Sequence, residues 1–360
     1  MLVLAFTLLV LISSHSKEDE KNNERSKHTC PGDTLDSHCG GQGTCFFGKC
    51  FCYPGWQGST CKEVLRPANP WYTKDCPNLQ AGTKTTFDVD TAFEKLGGAL
   101  NCRPSDTGPH SKLSYCAYLC YSHPDYGVAI VPRSIWTEAQ RSELHIWNGN
   151  AGKNDRSNEH FEGYENYAVF DKEEDLGDCA EIGTGPWTQF RGLLKMRPDV
   201  KVKSFTVIEP GADAYMKSVP FCAYRYPGKL VNFDETGNHT FPTFVKSNQG
   251  ELHEHKQYDT VMVMNVIEHT ENAFKFLKNV YHTVKPGGTL IMHERFYANP
   301  PIGDLVLRHN ILHPIRLKKE VFDRFLEQFD AKYMRTKGIA AFKRRRASEE
   351  GFWIVGKKKL

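Results

Sequence analysis

The last two thirds of this 360-residue chain are poor in cysteine: of twelve in all, only Cys179 and Cys222 lie beyond Cys120. That part cannot be a disulfide-stapled scaffold and has to fold around an apolar core. Beyond Ile12 there is also no run near the ~20 apolar residues a spanning helix needs, so no stable membrane span is expected. A surplus of charge is missing too. The formal net charge is only +3, with no concentrated basic face, and no nucleic-acid partner is expected. The N-terminus lacks a basic leader apart from its α-amino group. What it has is Met1 to Ile12, almost wholly apolar, then Ser13-Ser14-His15-Ser16 and the charged Lys17-Glu18-Asp19-Glu20. This fits a secretory signal at 1–16, with Ser14 and Ser16 as the small residues of a cleavage site. A polar linker at 17–28 follows. The expected location is secreted, or the lumen of the secretory pathway.

Half of the cysteines lie between Cys30 and Cys61, in the spacing C-x8-C-x5-C-x4-C-x-C-x8-C. The segment is dense in Gly and turn residues and almost without apolar periodicity, so it must be stapled rather than packed. Six cysteines allow 15 pairings. The ending Cys50-Phe51-Cys52-Tyr53-Pro54-Gly55-Trp56-Gln57-Gly58-Ser59-Thr60-Cys61, with Gly40-Gly41-Gln42-Gly43-Thr44-Cys45 before it, resembles an EGF-like domain at 29–62. The resemblance implies the pairs Cys30–Cys45, Cys39–Cys50 and Cys52–Cys61. The calcium-binding subtype carries an acidic pair before its first cysteine. Here that stretch is Ser26-Lys27-His28-Thr29, so no calcium is expected. Such a module implies a possible protein partner.

Residues 63–148 form a cysteine-containing connecting region with no motif; Thr86 to Leu100 and Ile135 to Trp147 read as helices. A C-terminal domain at 149–360 alternates strand-like and helix-like segments. Asp178 to Ile182 is a short strand, and Pro186 to Leu194 reads as a helix with proline in its first turn. Lys203 to Ile208 and Phe241 to Lys246 are the next strands. Thr260-Val261-Met262-Val263-Met264 is a continuous apolar run, as in a strand buried on both faces. Glu271 to Val284 is helical, with Ala273, Phe274, Leu277, Val280 and Tyr281 on one face. Thr289 to Met292 is a strand, Lys318 to Phe329 a helix, and Lys332 to Thr336 and Gly351 to Val355 are the last strands. Alternation of this kind predicts an α/β fold with a doubly wound, mostly parallel sheet, helices on both faces.

The first strand ends in Glu181, followed by Gly183-Thr184-Gly185. A Gly-x-Gly there suits a nucleotide-like ligand across the C-terminal ends of the strands. Alone it fits a dinucleotide site or a tight turn equally well. A carboxylate two residues earlier repels a pyrophosphate but suits an ammonium and a sulfonium. Thr188 takes the place of the third glycine of the dinucleotide pattern. Further on, Tyr258 to His269, a helix, and Lys285-Pro286-Gly287-Gly288-Thr289 form one ordered block. From about Asp175 to Thr289 the chain resembles class I methyltransferases of the type 11 kind, whose cofactor is S-adenosylmethionine. The resemblance implies a seven-stranded sheet. It also implies that Glu181, Gly183, Thr184 and Gly185 cradle the methionine part, that Glu209 holds the ribose hydroxyls, that Asn248 reads the adenine amino group, and that Asn265 faces the reaction centre. Two features depart from the pattern. Trp187 stands for a third glycine, and the span from Glu181 to Glu209 is longer than the usual ~20 residues.

His269 follows the fourth strand and is the candidate general base for a hydroxyl acceptor. Asn265-x-x-Glu268-His269 also resembles the Glu-x-x-Glu-His metal site of ubiquinone-pathway and small-RNA O-methyltransferases. Two ligands are too few for a site, and no metal is expected. His293, Glu294, His309 and His313 are further titratable residues near the expected acceptor loop, and Lys343-Arg344-Arg345-Arg346 reads as a solvated hairpin. Asn238-His239-Thr240 is a glycosylation sequon. The reading is of a methyltransferase of the secretory pathway, acting on a glycan or small-molecule hydroxyl. Its alternative is a catalytically inactive secreted interaction protein that works through the EGF-like module.

Overall fold

The computed structural model describes residues 29–30, 35–53, 56–64, 122–131, 133–149, 160–219, 222, 243–245, 256–297, 313–338 and 349–360. The signal at 1–16, the linker at 17–28, most of the connecting region, Asn238, Asn248, His309 and the Lys343 to Arg346 run lie outside these residues. The chain divides into two compact units, Met1–Phe87 and Asp88–Leu360.

In the first unit, strands β1 (Gly43–Phe46) and β2 (Lys49–Cys52) pair antiparallel, and β3 (Trp56–Gln57) pairs with β4 (Glu63–Val64). Disulfides join Cys30 to Cys45, Cys39 to Cys50 and Cys52 to Cys61. Those cysteines form a buried cluster, with Trp56 packed against it. The bridges close loops with sequence separations of 15, 11 and 9 residues. Each such closure contributes roughly 3 kcal/mol by restricting the unfolded chain.

In the second unit β5 (Ser122–His123), β6 (Gly127–Val128) and β12 (Arg316–Leu317) form a small sheet. Helix α1 (Arg133–Asn148) follows β6. The main sheet contains β7 (Asp178–Ile182), β8 (Ser204–Ile208), β9 (Thr243–Val245), β10 (Tyr258–Met264), β11 (Val284–Tyr297), β13 (Phe329–Gly338) and β14 (Glu349–Lys358). Its spatial order is β13-β14-β11-β10-β7-β8-β9. Only β14 runs antiparallel to its neighbours. This is the doubly wound, mostly parallel sheet the alternation predicts. β10 lies at its centre and is buried at every residue but Asp259, which explains its unbroken apolar run.

Helices α2 (Phe190–Met196), α3 (Ala212–Ser218), α4 (Ala273–Thr283) and α5 (Lys319–Leu326) accompany the sheet. α4 starts at Asn272, whose side chain accepts from Lys275 N at 3.0 Å, and buries Phe274, Phe276, Leu277, Val280 and Tyr281. The Lys285 to Gly288 turn bulges out of the ladder, since Tyr258 pairs with Val284 and Thr260 with Thr289. One expectation is corrected. The helix read from Pro186 begins only at Phe190, because Glu181 takes the backbone N–H groups of Gln189 and Phe190 and fixes the start there.

From β7 the chain builds outward through β8 and β9, then returns to β10 on the other side of β7. The winding therefore reverses between β7 and β10. The loops after β7, β8 and β10 meet at that point, where sheets of this kind bind ligands.

Candidate functional site

The loop after β7 is built by two glycines in left-handed conformation, Gly183 (φ +73°) and Gly185 (φ +59°). A Cβ on Gly183 would lie 2.2 Å from Cγ1 of Val266, so this glycine lets the loop after β10 pack against it. Gly183 N donates to Ile208 O at 2.9 Å, and Gly185 N donates to Oε2 of Glu209 at 2.9 Å. Glu209 Oε1 accepts from Gly211 N at 2.8 Å. The Glu209 carboxylate thus ties the first loop to the second. Burial pushes it up to about 7, against the pull of these two N–H groups. Thr184 sits between the glycines, its hydroxyl donating to Gly185 O at 2.9 Å.

Glu181, near the end of β7, faces the start of α2. Its oxygens accept from the Thr188 hydroxyl, from Gln189 N at 2.8 Å and from Phe190 N at 3.0 Å. The carboxylate is buried and satisfies the N-terminus of α2. Burial raises it to about 7 in spite of those donors. Trp187, at the place of the third glycine, is buried, and its indole N–H has no acceptor among the described residues.

Beyond β10, Asn265 adopts φ +57°, a conformation asparagine tolerates better than most residues. Its amide Nδ2 donates to Glu268 Oε1 at 3.1 Å, while its Oδ1 is buried without a partner among the described residues. Glu268 also meets Arg295 Nη1 and the Tyr297 hydroxyl, each at 3.3 Å. Burial raises this carboxyl, but the neighbouring His313 and Arg295 outweigh it and hold it well below the usual range. Glu294 accepts from Val266 N at 2.8 Å and Ile267 N at 3.1 Å, and burial lifts it to about 8.

His269 Nδ1 lies 2.8 Å from Oε2 of Glu143, a residue of α1. Burial opposes charge on the imidazole, but Glu143 overcomes it and lifts His269 to about 9. The ring is therefore an imidazolium at neutral pH. Glu143 lay in the region without a motif and was not expected here. The signal was present as a stripe, Trp136, Gln140, Glu143 and Trp147, at helical spacing. Trp136 Nε1 and Gln140 Nε2 both donate to His269 O at 3.1 Å.

Glu268, His269 and His313 bring one possible ligand atom each within 4.8 Å of one another. Sequence showed only the adjacent two. Arg295 supplies a positive charge to Glu268 from the same side-chain cluster. Burial pushes His313 down to about 3. His293 is structural: it stacks on Trp353, its Nδ1 is 2.9 Å from Phe352 O, and burial lowers it to about 4.

Residues 35–64 match the family model of the teneurin-like EGF domain, and residues 229–292 match that of a methyltransferase domain. The ubiquinone biosynthesis O-methyltransferase of Rickettsia bellii (strain OSU 85-389) is 40% identical over 57 residues, 16% of this chain and 24% of that protein. The chain thus spans about a quarter of the length of the curated relatives it matches. Among solved structures, the N-methyltransferase NodS of Bradyrhizobium japonicum WM9 with S-adenosyl-L-homocysteine is similar at 14% identity. It covers 63% of this chain and 99% of that one, with a TM-score of 0.39. The phosphoethanolamine N-methyltransferase 2 of Haemonchus contortus gives 9% identity, 63% and 60% coverage and a TM-score of 0.44. The fold assignment rests on strand order rather than on these overlaps. The chain therefore joins an EGF-like module to a sheet unit that carries a methyltransferase-domain signature.

Proposed function

We propose that this chain is an S-adenosylmethionine-dependent methyltransferase acting on a hydroxyl of a glycan or small molecule in the secretory pathway. The observation that carries the reading is Glu209, fixed by Gly185 and Gly211 where the winding reverses. Its oxygens keep lone pairs for the two hydroxyls of a ribose. The orphaned Trp187 N–H and Asn265 Oδ1 are the unmatched donor and acceptor that a polar ligand would satisfy. The methyltransferase-domain match at 229–292 supports the same cofactor.

The bound cofactor supplies a methyl group already activated on sulfur. The protein's work is then largely alignment, with removal of the acceptor's proton. His269 is the residue for that proton. Its neutral form is scarce at neutral pH because Glu143 lifts it to about 9, so transfer to a hydroxyl rises with pH toward that value. The disulfide-bonded module fits an oxidising compartment and is the part suited to a protein partner.

The test is to incubate the full chain with methyl-labelled cofactor and fractionated secreted glycans, lipids and small molecules. Label in methyl ethers supports the reading. Label confined to amines contradicts the hydroxyl acceptor, and no label in any fraction favours the inactive interaction protein. His269→Ala is expected to lower turnover about 100-fold or more. Turnover kept within a few-fold would remove His269 as the base.

A further inference from the structure

We infer that Glu143 of helix α1 is a cofactor-binding residue whose carboxylate receives the ammonium group of S-adenosylmethionine. The inference rests on the proposed cofactor and gives Glu143 the part that sequence assigned to Glu181.

Glu181 is the wrong group for that part in the folded chain. Three donors from Thr188, Gln189 and Phe190 already occupy it. Glu209, with one donor on each oxygen, is the carboxylate already given to the ribose hydroxyls. Glu143 carries fewer partners than Glu181, one on each oxygen. Trp147 Nε1 donates to its Oε1 at 3.1 Å, and His269 lies against its Oε2. Each oxygen retains a lone pair, and both neighbours fix the direction in which it points.

The position follows from the helix. Trp136, Gln140, Glu143 and Trp147 fall on one face of α1. At one end of this stripe Trp136 and Gln140 hold His269 O, in the loop after β10. At the other, the Trp147 ring lies 3.7 Å from where a Cβ of Gly185 would be, in the loop after β7. Glu143 stands between these anchors and so spans the two loops that meet at the reversal of the sheet. α1 lies outside the segment 229–292 that matches the methyltransferase domain.

Charge balance points the same way. Among the described side chains around the two loops, Glu143, Glu181, Glu209, Glu268 and Glu294 are carboxyl groups, His269 is the cation facing Glu143, and Arg295 is the one facing Glu268. Glu143 and Glu209 are close enough to repel one another. An ammonium between the loops relieves that repulsion. The amino acid end of the ligand also carries a carboxylate, and the buried indole N–H of Trp187, in the loop after β7, has no acceptor among the described residues.

The experiment is titration calorimetry of the full chain and of Glu143→Gln with three probes: S-adenosylmethionine, S-adenosylhomocysteine and 5′-methylthioadenosine, which lacks the amino acid end. Loss of one charged hydrogen bond predicts affinity about 10- to 100-fold weaker for the first two probes and unchanged for the third. Glu143→Asp, which keeps the charge, is expected to recover part of the loss. Binding of S-adenosylmethionine within two-fold of wild type overturns the inference while leaving the cofactor reading intact. An equal loss for all three probes overturns it too, because Glu143 would then only shape the pocket. A wild-type chain that binds none of the probes removes the cofactor reading itself.

Discussion

The two units of this chain solve the same problem with different means. In the EGF-like module disulfides form a buried cluster with Trp56 laid against it, and Phe46, Phe47 and Phe51 are the large apolar side chains buried in the same unit. In the sheet unit the core is apolar side chains of packed strands and helices, and its described cysteines, Cys179 and Cys222, are buried among them. A cysteine is thus a covalent staple in one unit and a small hydrophobe in the other. The lesson is that residue type alone does not assign a role; the partners reached through the fold do. The same holds for the carboxylates, where Glu181 serves a helix end and Glu209 a loop junction.

The largest effects should separate the two kinds of cysteine. Replacing Cys39 and Cys50 with serine is expected to cost about 2–5 kcal/mol and to remove hydrogen-exchange protection across 35–64. Cys179→Ser should lower the stability of the sheet unit by only about 1 kcal/mol, since a hydroxyl can still reach Leu176 O, where the thiol lies at 3.4 Å. Similar losses for both would break the comparison.

Next in size are the loop glycines. Gly183→Ala forces a Cβ onto Val266 and strains a left-handed backbone, and about 2–4 kcal/mol is expected in denaturant unfolding. At Gly185 the same change meets only ordinary contacts, so about 1–2 kcal/mol remains from backbone strain. Reversal of that ranking would contradict the packing described for Val266.

A smaller, graded effect concerns pH. Burial raises Glu181 and Glu209 to about 7 and Glu294 to about 8 from an ordinary 4.5. Their folded pKa values lie above the unfolded ones. The stability they contribute is full below pH 4.5 and is lost as pH rises through about 7–8. The melting temperature of the sheet unit should therefore fall from about pH 5 to about pH 8 and level off above, and Glu294→Gln should flatten that fall. Smallest of all is Lys285→Ala. It removes a half-exposed ion pair to Asp259 at 2.7 Å and should cost less than about 1 kcal/mol.

Much of this architecture was legible because its signals are local. The alternating segments around Asp178 to Ile208 and Thr260 to Met292 gave the parallel sheet, and Gly183, Glu209 and Asn265 were placed at strand ends by their positions alone. What stayed hidden depends on partners distant in sequence. No pattern near His269 announces that Glu143 would charge it, or that His313 would come beside Glu268. Nor does Pro186 reveal that the helix after it starts at Phe190, since that start is set by the buried Glu181 carboxylate.

The central claim is that the junction of Glu209 with the Gly183 to Gly185 loop is an S-adenosylmethionine site. Titration calorimetry of the wild-type chain and of Glu209→Ala tests it most directly. The account predicts saturable binding in the micromolar range for wild type, weakened at least about tenfold in the variant by loss of a charged acceptor. Absence of binding by the wild-type chain at millimolar cofactor, or equal affinity in the two proteins, would contradict it.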